Sequence, residues 1–330
     1  DFIGNRKILF IIPIVIVVIT IIFNCIFGVQ MAIEFKGGTM LTYSYTGEID
    51  TNAVKQVVES ENYGAVTVTT GASMNSSLEV VEISFSSSEG LTADKQTALS
   101  DKLQQSFKDN SLTLVNSQDV NPTSGTEFFL KCLVAVLFSF VLLVIYIAFR
   151  FKKIGGLSAG VFAIVALVHD CFMVYAVFVF CRFPIDANFM AVVLTVLGNS
   201  INNTIVVYDR IRENRNLYGN SLSLKELVNM SITQSITRSV NTTVTTAFAV
   251  LAICVVCAIC GVTSIMTFAI PMMAGLICGT YSSLCISGPL WVLWQEKHGK
   301  NYTNAGKSES KKDTKNLASN TAVDAKKLMV

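Results

Sequence analysis

The chain has 330 residues, of which 52% are hydrophobic and only 15% charged, with a net charge of +2. Soluble domains carry about 25% charged residues, so this composition, with a mean hydropathy of +0.54, points to a polytopic membrane protein lying in a lipid bilayer. Lys and Arg sit at the ends of apolar runs rather than on one basic face, which argues against nucleic acid as a partner.

Arg6 and Lys7 precede an apolar run over residues 8–29. About twenty apolar residues cross a bilayer, and a signal peptide would have a shorter core followed by a small-residue cleavage site. The run is therefore read as an uncleaved first helix behind a short N-terminus, residues 1–7. The chain opens on Asp1 rather than Met, which suggests that a short piece precedes it.

Residues 30–126 are polar, rich in Ser and Thr, and free of Cys. Period-two alternation predicts strands over 39–45, 65–70, 78–85 and 112–117. Helical spacing predicts helices over 51–61, through Val54, Val57 and Val58, and from Thr92 onward, through Leu99, Leu103 and Phe107. The order β-α-β-β-α-β is the ferredoxin-like pattern, so an α+β domain is expected between the first two membrane helices.

Residues 127–294 hold five further apolar runs, at about 128–149, 155–181, 188–208, 238–260 and 264–293. Pro271, Gly275 and Gly279 either kink the last or let helices approach closely. Ser223-Leu-Lys-Glu226 has the form of a capping box. The tail, 295–330, lacks apolar anchors and reads as disordered. Arg6 and Lys7, Arg150, Lys152 and Lys153, Arg210, Arg212 and Arg215 with Lys225 and Arg238 near them, and Lys297 and Lys300 all fall on one side of a six-helix arrangement. That asymmetry predicts both termini in the cytoplasm and the α+β domain outside.

The nine cysteines lie in or beside apolar runs, so no disulfide framework is expected. Cys254, Cys257 and Cys260 have metal-like spacing but no polar company, and are read as packing residues. No metal site, nucleotide loop or nucleophile–base set is found, so neither a cofactor nor an enzyme is expected.

Four motifs stand in order along the chain: Glu34-Phe-Lys-Gly-Gly-Thr39, Val168-His-Asp170, Gly198-Asn-Ser-Ile-Asn-Asn-Thr-Ile-Val-Val-Tyr-Asp-Arg-Ile-Arg-Glu-Asn214 and Arg238-Ser-Val-Asn-Thr-Thr243. Together they resemble the SecF side of the SecD/SecF family of protein-export membrane proteins, within the resistance-nodulation-division superfamily. The resemblance covers nearly the whole chain except the tail. It implies location in the bacterial cell (inner) membrane and an obligate SecD partner across a pseudo-twofold interface. It also implies a role in drawing preproteins outward through the SecYEG channel, with the proton as coupling ion. An arginine and a membrane carboxylate are implicated in the family. Here these positions are Arg238 and Asn203, and an amide cannot release a proton. The resemblance therefore implies that SecD supplies the titrating carboxylate, with Asn203 and Arg238 setting its environment. Glu34, where the family usually has Asp, is a smaller departure.

Read from the residues alone, Thr195, Asn199, Asn202 and Asn203 fall on one helical face, and Arg238, Asn241, Thr242 and Thr245 on another. The two stripes are expected to meet or to line a shared cavity; alternatively, they only hold helices together and Arg238 reaches the membrane surface. His169 and Asp170 form an intramembrane ionisable pair, though adjacent residues point about 100° apart and are not expected to form a simple local pair. Asp170 could instead fix packing on a neighbouring helix. Asp209 and Arg210 are expected to anchor and end their helix at the membrane edge. Gly37 and Gly38, between Phe35 and Thr39, are expected to turn the chain sharply from the membrane into the first strand. Two other functions remain open: a transporter or efflux component of the same superfamily, and a structural subunit without a proton role.

Overall fold

A computed structural model of the chain describes residues 2–4, 6–61, 65–72, 79–86, 91–151, 156–218, 221–260 and 263–298. The first helix, α1 (Arg6–Phe27), turns Ile and Val side chains outward along most of its length. A single helical turn, α2 (Ile33–Lys36), then leads into β1 (Gly38–Tyr45). The next elements are α3 (Thr51–Glu59), β2 (Ala65–Ala72), β3 (Glu79–Ser86), α4 (Ala93–Ser106) and β4 (Thr113–Val120). This is the expected order of strands and helices, with edges shifted by one to three residues.

The strands form one antiparallel sheet in the order β2-β3-β1-β4, with Leu41 opposite Ile83 on one side and Ser117 on the other. Alternation sends Leu41 and Tyr43 of β1 and Val81, Ile83 and Phe85 of β3 to the same face. There they meet Val54 and Val58 of α3 and Leu99 and Leu103 of α4, all fully buried. Each such side chain contributes roughly 1.5–3 kcal/mol of burial free energy.

The chain returns through α5 (Pro122–Arg150), α6 (Gly156–Cys181), α7 (Ala187–Tyr218), α8 (Leu224–Cys260) and α9 (Thr263–Ser282). A five-residue π-helical turn, Ser283–Ser287, then joins α9 to α10 (Gly288–His298). Among the described residues six segments are long and apolar enough to cross a membrane: α1, α5, α6, α7, α8, and α9 with α10. Trp291, Tyr208, Phe151 and Phe178 sit at the centre of their shared core.

Three expectations are corrected. Asp209 and Arg210 do not end their helix, because α7 runs nine residues past Asp209 to Tyr218. Asp209 pairs with Arg212 at 3.0 Å and Arg210 with Glu213 at 2.6 Å, both one turn along the helix, so the charges stabilise its continuation. The fifth span begins at Leu224 rather than near residue 238, behind the expected capping box: the Ser223 backbone N–H donates to Glu226 Oε2 at 3.0 Å. Third, residues 295–298 belong to α10, where Gln295 is buried; the rest of the expected tail, 299–330, lies outside the described residues.

Candidate functional site: a buried polar seam and an outward polar face

Glycines permit the close contact that builds the seam. A Cβ on Gly275 would lie 2.4 Å from Val196 Cγ2, and one on Gly279 would lie 3.1 Å from Ser200 Cβ. Thus α9 stacks directly on α7, and the glycines serve approach rather than a kink. At this contact both helices carry polar residues. On α7 these are Ser200, Asn203, Thr204 and Tyr208; facing them are Thr280, Ser282, Ser283 and Ser287, all buried. Nothing in hydrocarbon could satisfy them, so they bond to one another.

Asp170 of α6 is the ionisable member of the seam and is fully buried. Its Oδ2 accepts the Ser200 hydroxyl at 2.5 Å and the Ser282 hydroxyl at 2.8 Å. Its Oδ1 lies 3.0 Å from His169 Nδ1. The two adjacent residues therefore do pair, against the expectation from their 100° separation. That angle separates their Cβ atoms, while side-chain rotation brings the tips together. Farther along, Thr204 donates to Ser283 at 2.9 Å, and Tyr208 Oη meets Ser287 Oγ at 2.7 Å and the Ala159 carbonyl at 3.1 Å.

Asn203 is also in the seam. Its amide donates to Thr280 Oγ1 at 3.1 Å, and Thr280 in turn bonds Thr243 of α8. The expected juxtaposition of Asn203 with Arg238 is therefore not found, because Asn203 points inward and Arg238 outward. Asn202 and Asn203 flank Asn199 on opposite sides, and α9 covers the side that carries Asn203; the other, which carries Asn202, stays open beside Asn199.

The outward face combines Thr195, Asn199 and Asn202 of α7 with Arg238, Asn241, Thr242 and Thr245 of α8. All are exposed except Asn199, which is half-buried. The Asn214–Ser231 bond at 2.8 Å and the Arg210–Gln234 bond at 2.7 Å fix the antiparallel register of the two helices. Extended inward, that register sets Asn202 level with Thr242. Thr195, Thr242 and Thr245 spend their hydroxyls on carbonyls of their own helix. Among the described residues Asn199 Nδ2 has no partner, and no hydrogen bond or ion pair joins the side chains of Asn202, Arg238 or Asn241 to another residue. Arg238 stands in the interior of α8, more than three turns after Leu224, not at a helix start.

The first motif clamps the end of the bundle that adjoins the sheet. Glu34 Oε2 accepts the Ala187 N–H at 2.9 Å, holding the first residue of α7. Asp186 Oδ1 accepts the Phe189 N–H at 3.1 Å. Phe35 packs on Phe128 and Phe129 of α5. Gly37 (φ 78°) and Gly38 (φ 133°) are required twice over: their backbone is left-handed, and Cβ atoms there would strike Pro122 and the Phe85 carbonyl. Thr39 Oγ1 donates to Asp119 and accepts the Leu91 N–H.

Sequence reasoning missed the serines. Ser282, Ser283 and Ser287 were visible as polar interruptions of the sixth apolar run, and their four- and five-residue spacings mark one face. Among the described residues no group of three or more His, Cys, Asp and Glu side chains could hold a metal.

Comparison with known proteins places this architecture. Residues 99–297 match the family described as protein export membrane protein SecD/SecF, C-terminal. The chain is 30% identical over 311 residues to the protein translocase subunit SecF of Anaerolinea thermophila, covering 93% of this chain and 97% of that one. It is 31% identical over 297 residues to the protein translocase subunit SecDF of Bacillus subtilis, covering 89% of this chain but only 38% of the longer protein. The crystal structure of SecDF, a translocon-associated membrane protein from Thermus thermophilus, superposes with a TM-score of 0.76 at 28% identity, over 90% of this chain and 38% of that one. The chain belongs to the SecD/SecF family of protein translocase subunits, and within it to the SecF type.

Proposed function

We propose that this chain pairs with a SecD subunit and that the pair uses the proton motive force to assist late movement of preproteins through the SecYEG channel. The chain is then a transport subunit rather than an enzyme, in the bacterial cell (inner) membrane with both termini cytoplasmic. The four-stranded sheet with α3 and α4 is its ferredoxin-like extracytoplasmic domain. The strand order β2-β3-β1-β4, antiparallel throughout, supports that classification.

The observation that carries the reading is the outward face of Asn199, Asn202, Arg238 and Asn241. Polar and charged side chains on a membrane helix are costly against lipid and normally meet another helix or a water-filled path. The fused SecDF relative, which holds a second half in the same chain, supports a SecD half as the cover. A carboxylate supplied by the partner would meet Arg238 there. Asn203, bonded inward to Thr280, is left a structural role.

The test is Arg238→Ala in a strain carrying both subunits. Proton-dependent late export is expected to fall while copurification with the SecD partner is retained. Export at the wild-type level would sink the reading.

A further inference from the structure

Within the closed contact of α6, α7 and α9 the structure holds a second titratable site, separate from the outward face. We propose that His169 and Asp170 form a proton-binding site inside this chain's own helix bundle, built so that the carboxyl group is satisfied both with and without its proton. Its occupancy does not depend on the partner interface.

Three observations carry the inference. First, each hydroxyl on Asp170 has a second acceptor already in place. Ser282 Oγ lies 2.8 Å from Asp170 Oδ2 and 3.1 Å from the Gly279 carbonyl. Ser200 Oγ lies 2.5 Å from the same carboxylate oxygen and 3.4 Å from the Gly279 carbonyl. A serine hydroxyl donates to an ionised carboxylate, and it can turn to donate elsewhere while accepting from a protonated one.

Second, the duplicate acceptor is a carbonyl of α9 itself, about one turn before Ser282, the spacing at which a serine hydroxyl reaches back along its own helix. The π turn begins at Ser283, one residue past Ser282. The Gly279 carbonyl takes the Ser283 hydroxyl at 2.8 Å and lies within reach of those of Ser282 and Ser200. A side chain at 279 would crowd Ser200.

Third, the site has a vacant position for a proton. His169 Nδ1 is 3.0 Å from Asp170 Oδ1, while its Nε2 is buried and without a partner among the described residues. A proton bound at Nε2 lets the proton on Nδ1 pass to Oδ1. The imidazole ends neutral in its other tautomer and the carboxyl ends neutral, so one proton enters and one is stored. The remaining ionisable neighbours are the thiols of Cys171 on α6 and Cys278 on α9. The π turn adds Cys285, α7 presents only hydroxyls, and Tyr281 of α9 is committed to the Leu9 carbonyl of α1. Among the described residues no Lys, Arg or second carboxylate adjoins Asp170.

The experiment is pH-difference infrared spectroscopy of the full chain in lipid nanodiscs, with carboxyl-labelled aspartate identifying the band. A protonated-carboxyl stretch is expected to appear as pH falls and to be lost in Asp170→Asn. Ser282→Ala is expected to keep the band and move it to higher frequency, because one hydrogen bond to the group is removed. That variant assigns the band even if Asp170→Asn does not fold. A band that persists in Asp170→Asn, that is insensitive to Ser282→Ala, or that is constant at every pH would overturn the proposal. None of these outcomes bears on the SecD pairing, which the Arg238 experiment reads separately.

Discussion

Single side chains in this protein are held by small sets of bonds whose removal has a computable sign. Tyr208 is fully buried, and its hydroxyl is shared between Ser287 and the Ala159 carbonyl. Tyr208→Phe strands both partners in a dry core and is expected to cost about 1–3 kcal/mol. A lowered thermal midpoint of the purified protein reads this, and an unchanged midpoint would show that the seam tolerates broken links. Glu82 on β3 gives a pH signature outside the membrane. Burial pushes its carboxyl above the usual range, so its contribution to stability is full at acid pH and is lost as pH rises through its folded value. Glu82→Gln is therefore expected to slow hydrogen exchange of the β1 and β3 amides at neutral pH and to leave it unaltered in acid. The opposite ordering would contradict burial as the cause.

Helices and strands show which features could be read from residue types alone. Apolar run length gave six spans, and alternation gave the sheet, because both follow from period and composition. The end of α7 and the start of α8 differ from expectation, because Asp209 and Arg210 look like a membrane boundary. Their i,i+3 pairs extend the helix beyond it. The inward turn of Asn203 was also beyond the sequence. It depends on which α7 face meets α9, and Gly275 and Gly279 decide that only once both helices are in place. Gly275 supplies the test: a Cβ there would meet Val196 and Val174 at 2.4 and 3.0 Å. Gly275→Val is expected to destabilise the bundle by about 1–3 kcal/mol through overpacking. Wild-type thermal stability of that variant would mean that α7 and α9 can separate freely.

For the whole molecule, the outward face of α7 and α8 makes the isolated chain incomplete. Amides near Asn199–Asn202 and Arg238–Thr242 are expected to exchange faster in the chain alone than in complex with a SecD partner, while those of the sheet stay constant. Equal exchange in both states would place the partner on another face. One further consequence lies in α7 itself. It begins where Glu34 grips Ala187, beside the sheet domain, and ends at Tyr218, where it turns toward α8 at the opposite end of the bundle. At 1.5 Å per residue, its 32 residues form a rod about 48 Å long, well beyond the roughly 30 Å of hydrocarbon. A rod of this length that pivoted at Ser200, against Gly279, would act as a lever. From there to Tyr218 is about 27 Å, so a tilt of about 10° would carry the tip about 5 Å. A small displacement at the Glu34 clamp would thus reach the opposite end of the bundle with no intervening loop to absorb it.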